Sequence, residues 1–133
     1  MSIPVSLDKL AETLPRYPYA YLLTVDDASR SHVVAVVPTL RDGQLRIGGL
    51  GNRSRANAAA RPGVSLVWPP AEAGGYSLIV DGDARVAADE VAIAPTRAVL
   101  HRPASASPAA EPADEAASGC ASDCVELVDG ASA

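Results

Sequence analysis

The stretch GNRSRANAAARPGVSLVWPP, residues 51–70, decides how the rest of this sequence is read. It interrupts a series of strand-like segments with a short run of small and basic residues. A Pro62-Gly63 stop follows, and then the strand VSLVW, residues 64–68. Gly51 lets the backbone approach a ligand closely, and a helix start presents unpaired N–H groups and partial positive charge that suit a phosphate. Arg53 and Arg55 add charge and bidentate hydrogen-bonding geometry, and Ser54 adds a hydroxyl donor. Gly48 and Gly49 leave room for a ligand beside the preceding strand end. A second reading stays open at this level. Ala56, Ala59 and Ala60 would then pack closely as a helix that plugs a barrel mouth, with the arginines merely solvated.

Outward from this stretch, charge is unevenly placed. Residues 1–62 hold eight Lys/Arg against five Asp/Glu, whereas residues 104–133 hold six acids and no base. The formal net charge of −5 is therefore mostly a property of the C-terminal segment. Between Gly43 and Ala71 stand four arginines and no acid, a local field that attracts anions. It is too small for a nucleic-acid footprint, which needs a basic stripe with stacking aromatics. With 48% apolar residues, no Phe and one Trp, the core must be aliphatic. Nothing in the sequence has the apolar run of about 18 residues that a membrane span needs. No basic segment followed by an apolar one opens the chain, so a cytoplasmic location is expected.

Toward the N-terminus, SLDKLAETL places Leu7, Leu10, Ala11 and Leu14 on one helical stripe, with Ser6 as N-cap and Pro15 as the stop. AYLLTV (20–25), HVVAVV (32–37) and QLRIG (44–48) read as strands separated by turn residues. HVVAVV is apolar at nearly every position, which predicts a strand covered on both faces. Beyond the opening stretch come YSLIVDGDARVAA (76–88) and VAIAPTRAVLHRP (91–103). Gly82, between Asp81 and Asp83, marks a bulge or bend inside a long strand, and Pro95 marks another. Residues 104–119 contain only Ala, Ser, Pro, Gly and acids, a linker composition, and DCVELV (123–128) reads as a last strand. The expected organisation is a domain over 1–103, a linker over 104–119 and a C-terminal strand and tail over 120–133. The elements so read amount to a small, mainly β barrel of roughly seven or eight strands with two short helices.

The order of these elements resembles the pyridoxamine 5′-phosphate oxidase-like, FMN-binding split barrels. In that family a strand ending in small residues leads to a short basic segment, an Asn or Gln, and then, five residues later, a Pro that opens PxVSLxW. The matching residues are GGLGNRSRAN, Asn57, Pro62 and PGVSLVW, and GYSLIVDGDARV is similar to the family's long strand. The resemblance covers about residues 5 to 103 and implies a mainly β fold, a six- to eight-strand antiparallel split β-barrel with a short N-terminal helix and one short helix at the cofactor loop. It implies a homodimer, with a flavin phosphate held by Asn52, Arg53, Ser54 and Arg55 and supported by Asn57. FMN is the first cofactor implied, with deazaflavin (F420) or haem as alternatives; a flavin-dependent oxidoreductase, an F420-dependent reductase and a non-enzymatic or cofactor-free split barrel all remain open. Two departures stand out. Ser54 occupies the family's usual Lys position, and His32 and Val37 stand where true pyridoxamine phosphate oxidases carry Arg and Lys. Pyridoxamine phosphate is therefore not the expected substrate.

Further candidates come from single residues. Thr24 lies among apolar strand neighbours and needs a hydrogen-bond partner if buried, or else contacts the ring. His32 opens a strand and is either an edge histidine or a ligand contact; His101 reads the same way. Trp68 either packs in a core or stacks beside a ring. Cys120 and Cys124 are spaced C-x-x-x-C, which matches neither a redox nor a zinc motif, and no metal site is expected. The sequence has no paired carboxylates or nucleophilic triad, so catalytic residues stay unassigned and redox chemistry would come from a bound cofactor.

Overall fold

The computed structural model describes residues 1–104, and the unit considered below runs from Ser2 to Arg102. The expected linker and the C-terminal segment with Cys120, Cys124 and DCVELV lie outside the described residues.

Eight antiparallel strands form one sheet: β1 (Ser2–Pro4), β2 (Ala20–Val25), β3 (Ser31–Val36), β4 (Thr39–Arg41), β5 (Gln44–Gly48), β6 (Gly63–Trp68), β7 (Ser77–Val86) and β8 (Glu90–His101). Their spatial order is β3-β2-β6-β7-β8-β5-β4, with β1 added beside the far end of β8. β3 and β4 are therefore the two edges of this path, although only Val37 and Pro38 separate them in sequence. Three residue steps span about 11 Å at most, so the sheet must curl until its edges nearly meet. Pro38 lacks an N–H to donate across that seam. This is the split barrel that the resemblance implied.

Alternation puts Ala20, Leu22, Leu45, Ile47, Val64, Leu66, Leu78, Val80, Val91 and Ile93 on the inner face, where they form the aliphatic core. The core includes Trp68. At the N-terminus the chain forms a 3₁₀ turn (Leu7–Lys9), α1 (Leu10–Thr13) and a second 3₁₀ turn (Leu14–Arg16). Leu10 is buried and Leu14 packs against the core. Ser6 stands at the N-cap without a side-chain capping bond, and Pro15 lies inside the second 3₁₀ turn instead of ending the helix. Proline is tolerated there because an early helical N–H needs no partner.

Gly82 is where β7 and β8 shift register: Asp81 pairs with Arg97, and Gly82 with Pro95. Thr96 is the extra residue of a bulge, and its hydroxyl donates to the Asp81 carbonyl at 3.2 Å. A Cβ on Gly82 would lie 2.6 Å from the Ala94 carbonyl oxygen and 2.7 Å from Ile93 Cγ2. The two strands therefore come together at a point that only glycine fits.

β3 differs from the expectation of a strand covered on both faces. It is an edge strand whose His32, Val34 and Val36 turn inward while Val33 stays 51% exposed. Val37, just beyond its end, is 71% exposed. An apolar run cannot by itself tell a sandwiched strand from an edge strand with a bare outer face. The sequence reading also contains no counterpart of β1 or β4, each three residues long and without alternation to betray it. No helix among the described residues is long and apolar enough to cross a membrane.

Candidate functional site

The basic stretch forms α2 (Asn52–Ala60), with Gly51 as N-cap. Gly51 carries no capping side chain, and the first helical bond to it comes from the Arg55 N–H at 3.1 Å. The N–H groups of Asn52, Arg53 and Ser54 therefore have no helical acceptor and lie at the positive end of the helix dipole. No acid stands in the first turn to offset this.

α2 has no apolar stripe, yet it docks through Ser54, Asn57 and Ala58, which are buried. The anchor is a hydrogen bond from Asn57 Nδ2 to Thr24 Oγ1 at 3.1 Å, with Thr24 fully buried and Asn57 7% exposed. This bond supplies the partner that a buried Thr24 requires. Ala56, Ala59 and Ala60, the expected packing face of a plug, are instead on the exposed side. The polar pair selects the inner face, since an unpaired amide or hydroxyl at that depth would cost more than exposing three methyl groups.

The two arginines of the first turns separate in role. Arg55 Nη2 donates to the Ala87 carbonyl at 2.6 Å and the Ala88 carbonyl at 3.2 Å, tying α2 to the β7–β8 turn. Arg53 is exposed and makes no hydrogen bond or ion pair within the described residues. Ser54 is 2% exposed, so its side chain belongs to the docking face of α2. Farther along, Arg61 pairs with Asp27 at 2.8 Å and joins the end of α2 to the β2–β3 turn. That turn is itself held by Asp26, whose carboxylate accepts from the Ala28 and Arg30 N–H groups at 2.8 and 2.9 Å. The Arg30 backbone bond, ahead of the Ala28 bond and the Arg30 charge, holds the Asp26 pKa below its ordinary value.

Immediately before α2, at the seam of the barrel, lies a groove of about 400 Å³. Tyr19, Val36, Val37, Ile47, Gly48 and Gly49 are among the residues that line it. Gly49 has φ of +73°, a conformation that glycine adopts without strain. No atom lies within 4 Å of a Cβ built on Gly49 or Gly51, so the backbone there is open to a ligand. No charged side chain lines this groove, and Arg53 follows Gly49 four residues on.

The candidates thus fall into groups. Asn52 and Arg53 stand at the start of α2, next to the groove. Thr24, Asn57 and His32 form a second group, since His32 pairs with Thr24 across β2 and β3 and is half-buried on the same face. Trp68 is 2% exposed within the core, opposite Leu78, so its ring is not presented to the groove. His101 lies at the far end of β8, where its Nδ1 is 3.1 Å from Ser2 Oγ. Tyr19 is the groove residue the sequence reading passed over. Its one signal was the alternation of β2, which, extended two residues back from Tyr21, puts Tyr19 on the same side.

Comparison with known proteins places this geometry. No protein-family model matches the chain. The uncharacterized proteins Mb0449c of Mycobacterium bovis and MT0457 of Mycobacterium tuberculosis are each 47% identical to it over 117 residues, covering 76% of this chain and 82% of theirs. Among solved structures, an FAD-binding protein of Mesorhizobium loti superposes with a TM-score of 0.62 at 15% identity, over 75% of this chain and 95% of that one. An F420 reductase superposes at 0.56 with 18% identity, over 65% and 94%. An FMN-binding protein of Syntrophomonas wolfei gives 0.58 at 10% identity, over 71% and 84%. Identities this low speak for the fold alone. The chain belongs to one family with Mb0449c and MT0457, a divergent family on the split-barrel fold of the flavin- and deazaflavin-linked, pyridoxamine 5′-phosphate oxidase-like proteins.

Proposed function

We infer that the groove and the start of α2 form one cofactor site, that its ligand is FMN, and that the protein is a homodimeric flavin-dependent oxidoreductase. The observation that carries this reading is the juxtaposition of an uncharged groove with an anion-attracting helix start. The groove volume is in the range of small-molecule sites, and Gly49, with open space where a Cβ would stand, lets a planar ring lie against the backbone. Beside it, the Asn52, Arg53 and Ser54 N–H groups and the Arg53 guanidinium suit one phosphate. Arg55 and Asn57 act at one remove, holding α2 so that its N-terminus faces the ligand phosphate. Bound flavin would supply two-electron redox chemistry, and the chain would supply binding, orientation and exclusion of water. Structural neighbours that bind FAD and FMN support a flavin before other cofactors. Val37 and His32, in place of a second Arg and Lys, leave this site with a single phosphate anchor and point to a substrate other than pyridoxamine phosphate.

The homodimer draws support from the outer face of the sheet. Across β3, β2, β6 and β7 the register aligns Ala35, Tyr21, Val67 and Ile79 in one row, with Val33 and Leu23 beside them. A contiguous apolar face of this kind marks an association surface.

The test is an absorption spectrum of the purified protein followed by FMN titration of the wild type and Arg53→Ala. The expected result is a flavin complex that the substitution weakens about tenfold or more, equivalent to roughly 1.4 kcal/mol. Wild-type protein that neither carries nor binds FMN would refute the reading. Light scattering at twice the monomer mass is expected for the dimer, and a monomer would refute that part.

A further inference from the structure

We propose that Tyr19 is the specificity-determining residue of the groove, a preset aromatic wall on which the ring of a planar heteroaromatic ligand stacks. This deepens the FMN reading and rests on it.

Among the groove residues named above, Tyr19 alone offers an aromatic face; the others are aliphatic or glycine. Its position is set by a neighbour. The Tyr19 and Tyr21 rings meet edge to face, with centroids 5.5 Å apart and planes at 81°. Tyr21 is itself fixed in the sheet between Ala35 of β3 and Val67 of β6. A tyrosine held by such a contact has only two side-chain torsions to lose, so ordering it on a ligand costs little. Tyr19 nevertheless remains 38% exposed, which leaves ring surface for a ligand to cover. The Tyr21 hydroxyl raises the Tyr19 pKa through hydrogen bonding and then through charge. A phenol is neutral at physiological pH in any case, so the ring presents no phenolate to repel an anionic ligand.

The rest of the lining is aliphatic or glycine: Val36, Val37 and Ile47 give aliphatic contacts, and Gly48 and Gly49 expose peptide groups to a ring edge. This arrangement selects for planarity and for polar groups around the rim. It does not select for charge in the ring, since none of its walls carries any. Charge recognition is confined to Arg53 and the α2 N-terminus. Ring and phosphate are thus read by separate residues, and their contributions can be separated by experiment.

The experiment measures the affinities of FMN and of riboflavin, which has the same ring without the phosphate, together with the fluorescence of each bound flavin. Wild type, Tyr19→Phe, Tyr19→Ala and Arg53→Ala are compared. Tyr19→Ala is expected to weaken both ligands by a similar factor, about fivefold or more. Tyr19→Phe should keep the affinity for both. It should also brighten the bound flavin, because a phenol donates an electron to the excited ring and a phenyl group does not. Arg53→Ala should weaken FMN alone and leave the quenching of bound flavin unchanged. If wild type binds FMN but Tyr19→Ala keeps both affinities and the quenching, the proposal for Tyr19 is overturned while the FMN reading stands. If wild type binds neither flavin, both are overturned.

Discussion

The hydrogen bond between Asn57 and Thr24 is the link on which the position of α2 turns, and it can be isolated by a double-mutant cycle. Asn57→Ala removes the donor and leaves Thr24 Oγ1 without its 3.1 Å partner at a fully buried position. Thr24→Val removes the acceptor at nearly constant volume and leaves the Asn57 amide unpaired instead. An unpaired buried polar group costs about 1–3 kcal/mol, so each single variant should lose that much, and Asn57→Ala somewhat more for the space it opens. For a folded unit of this size, each 1 kcal/mol lowers Tm by about 4–8 °C. The double variant leaves neither group stranded, so its loss should fall short of the summed singles by about 1 kcal/mol or more. Urea unfolding followed by fluorescence is a direct assay, because Trp68 is the only tryptophan and is buried in the core. If the single losses simply add, to within about 0.3 kcal/mol, the two residues are not coupled and the account of α2 docking is wrong. With the coupling present, Asn57→Ala should also loosen FMN, since the helix that carries Arg53 loses its anchor.

Three further outcomes follow from the same geometry. Gly82→Ala would push a methyl group into the Ala94 carbonyl and Ile93 Cγ2, and the strand separation it forces should cost about 2 kcal/mol or more; an unchanged urea midpoint would show that the bulge can open freely. Arg53→Ala and Arg55→Ala should part ways: the first should leave stability within about 0.5 kcal/mol, while the second frees the Ala87 and Ala88 carbonyls and lowers the protection of α2 amides in hydrogen exchange. Equal protection in both variants would place Arg55 outside the helix clamp. Asp26 has a depressed folded-state pKa, so its contribution is present above the ordinary value of 3.8 and is lost as pH falls through the lower, folded value. The stability gap between wild type and Asp26→Asn should therefore shrink below about pH 4 in acid titrations, and a gap that stays constant to pH 2 would contradict the assignment.

Much of this molecule is written in local pattern. β2 and β5 span the residues that alternation and turn punctuation mark out, because those strands are half-buried and bounded by turn residues. α2 starts after Gly51 and stops near Pro62 for equally local reasons: a residue without a side-chain conflict at the cap, and a ring that cannot continue the helix. Gly82 announces the bulge because a glycine inside a long strand-like run has no propensity reason to be there. The basic, acid-free segment is equally legible as a local positive field, since charge is additive along the chain.

Tertiary structure decided what depends on partners distant in sequence. Ser54, Asn57 and Ala58 form the inner face of α2 because Thr24 waits thirty-three residues upstream, and no periodicity within NRSRANAAA reveals it. Arg55 is a strut, and Arg53 has no partner among the described residues, because the β7–β8 turn reaches only one of them. β3 is an edge with a bare outer face because the sheet begins there, and an edge strand and a sandwiched one can share the same apolar sequence. Trp68 faces the core by the parity of its register. Tyr19 reaches the groove because the curled sheet brings the end of β3, the end of β5 and the start of β2 to one seam. Local sequence sets which residues can be helix, strand or turn. Pairing order and curl, which are settled by burial and by hydrogen-bond completeness across the whole sheet, set which of them meet.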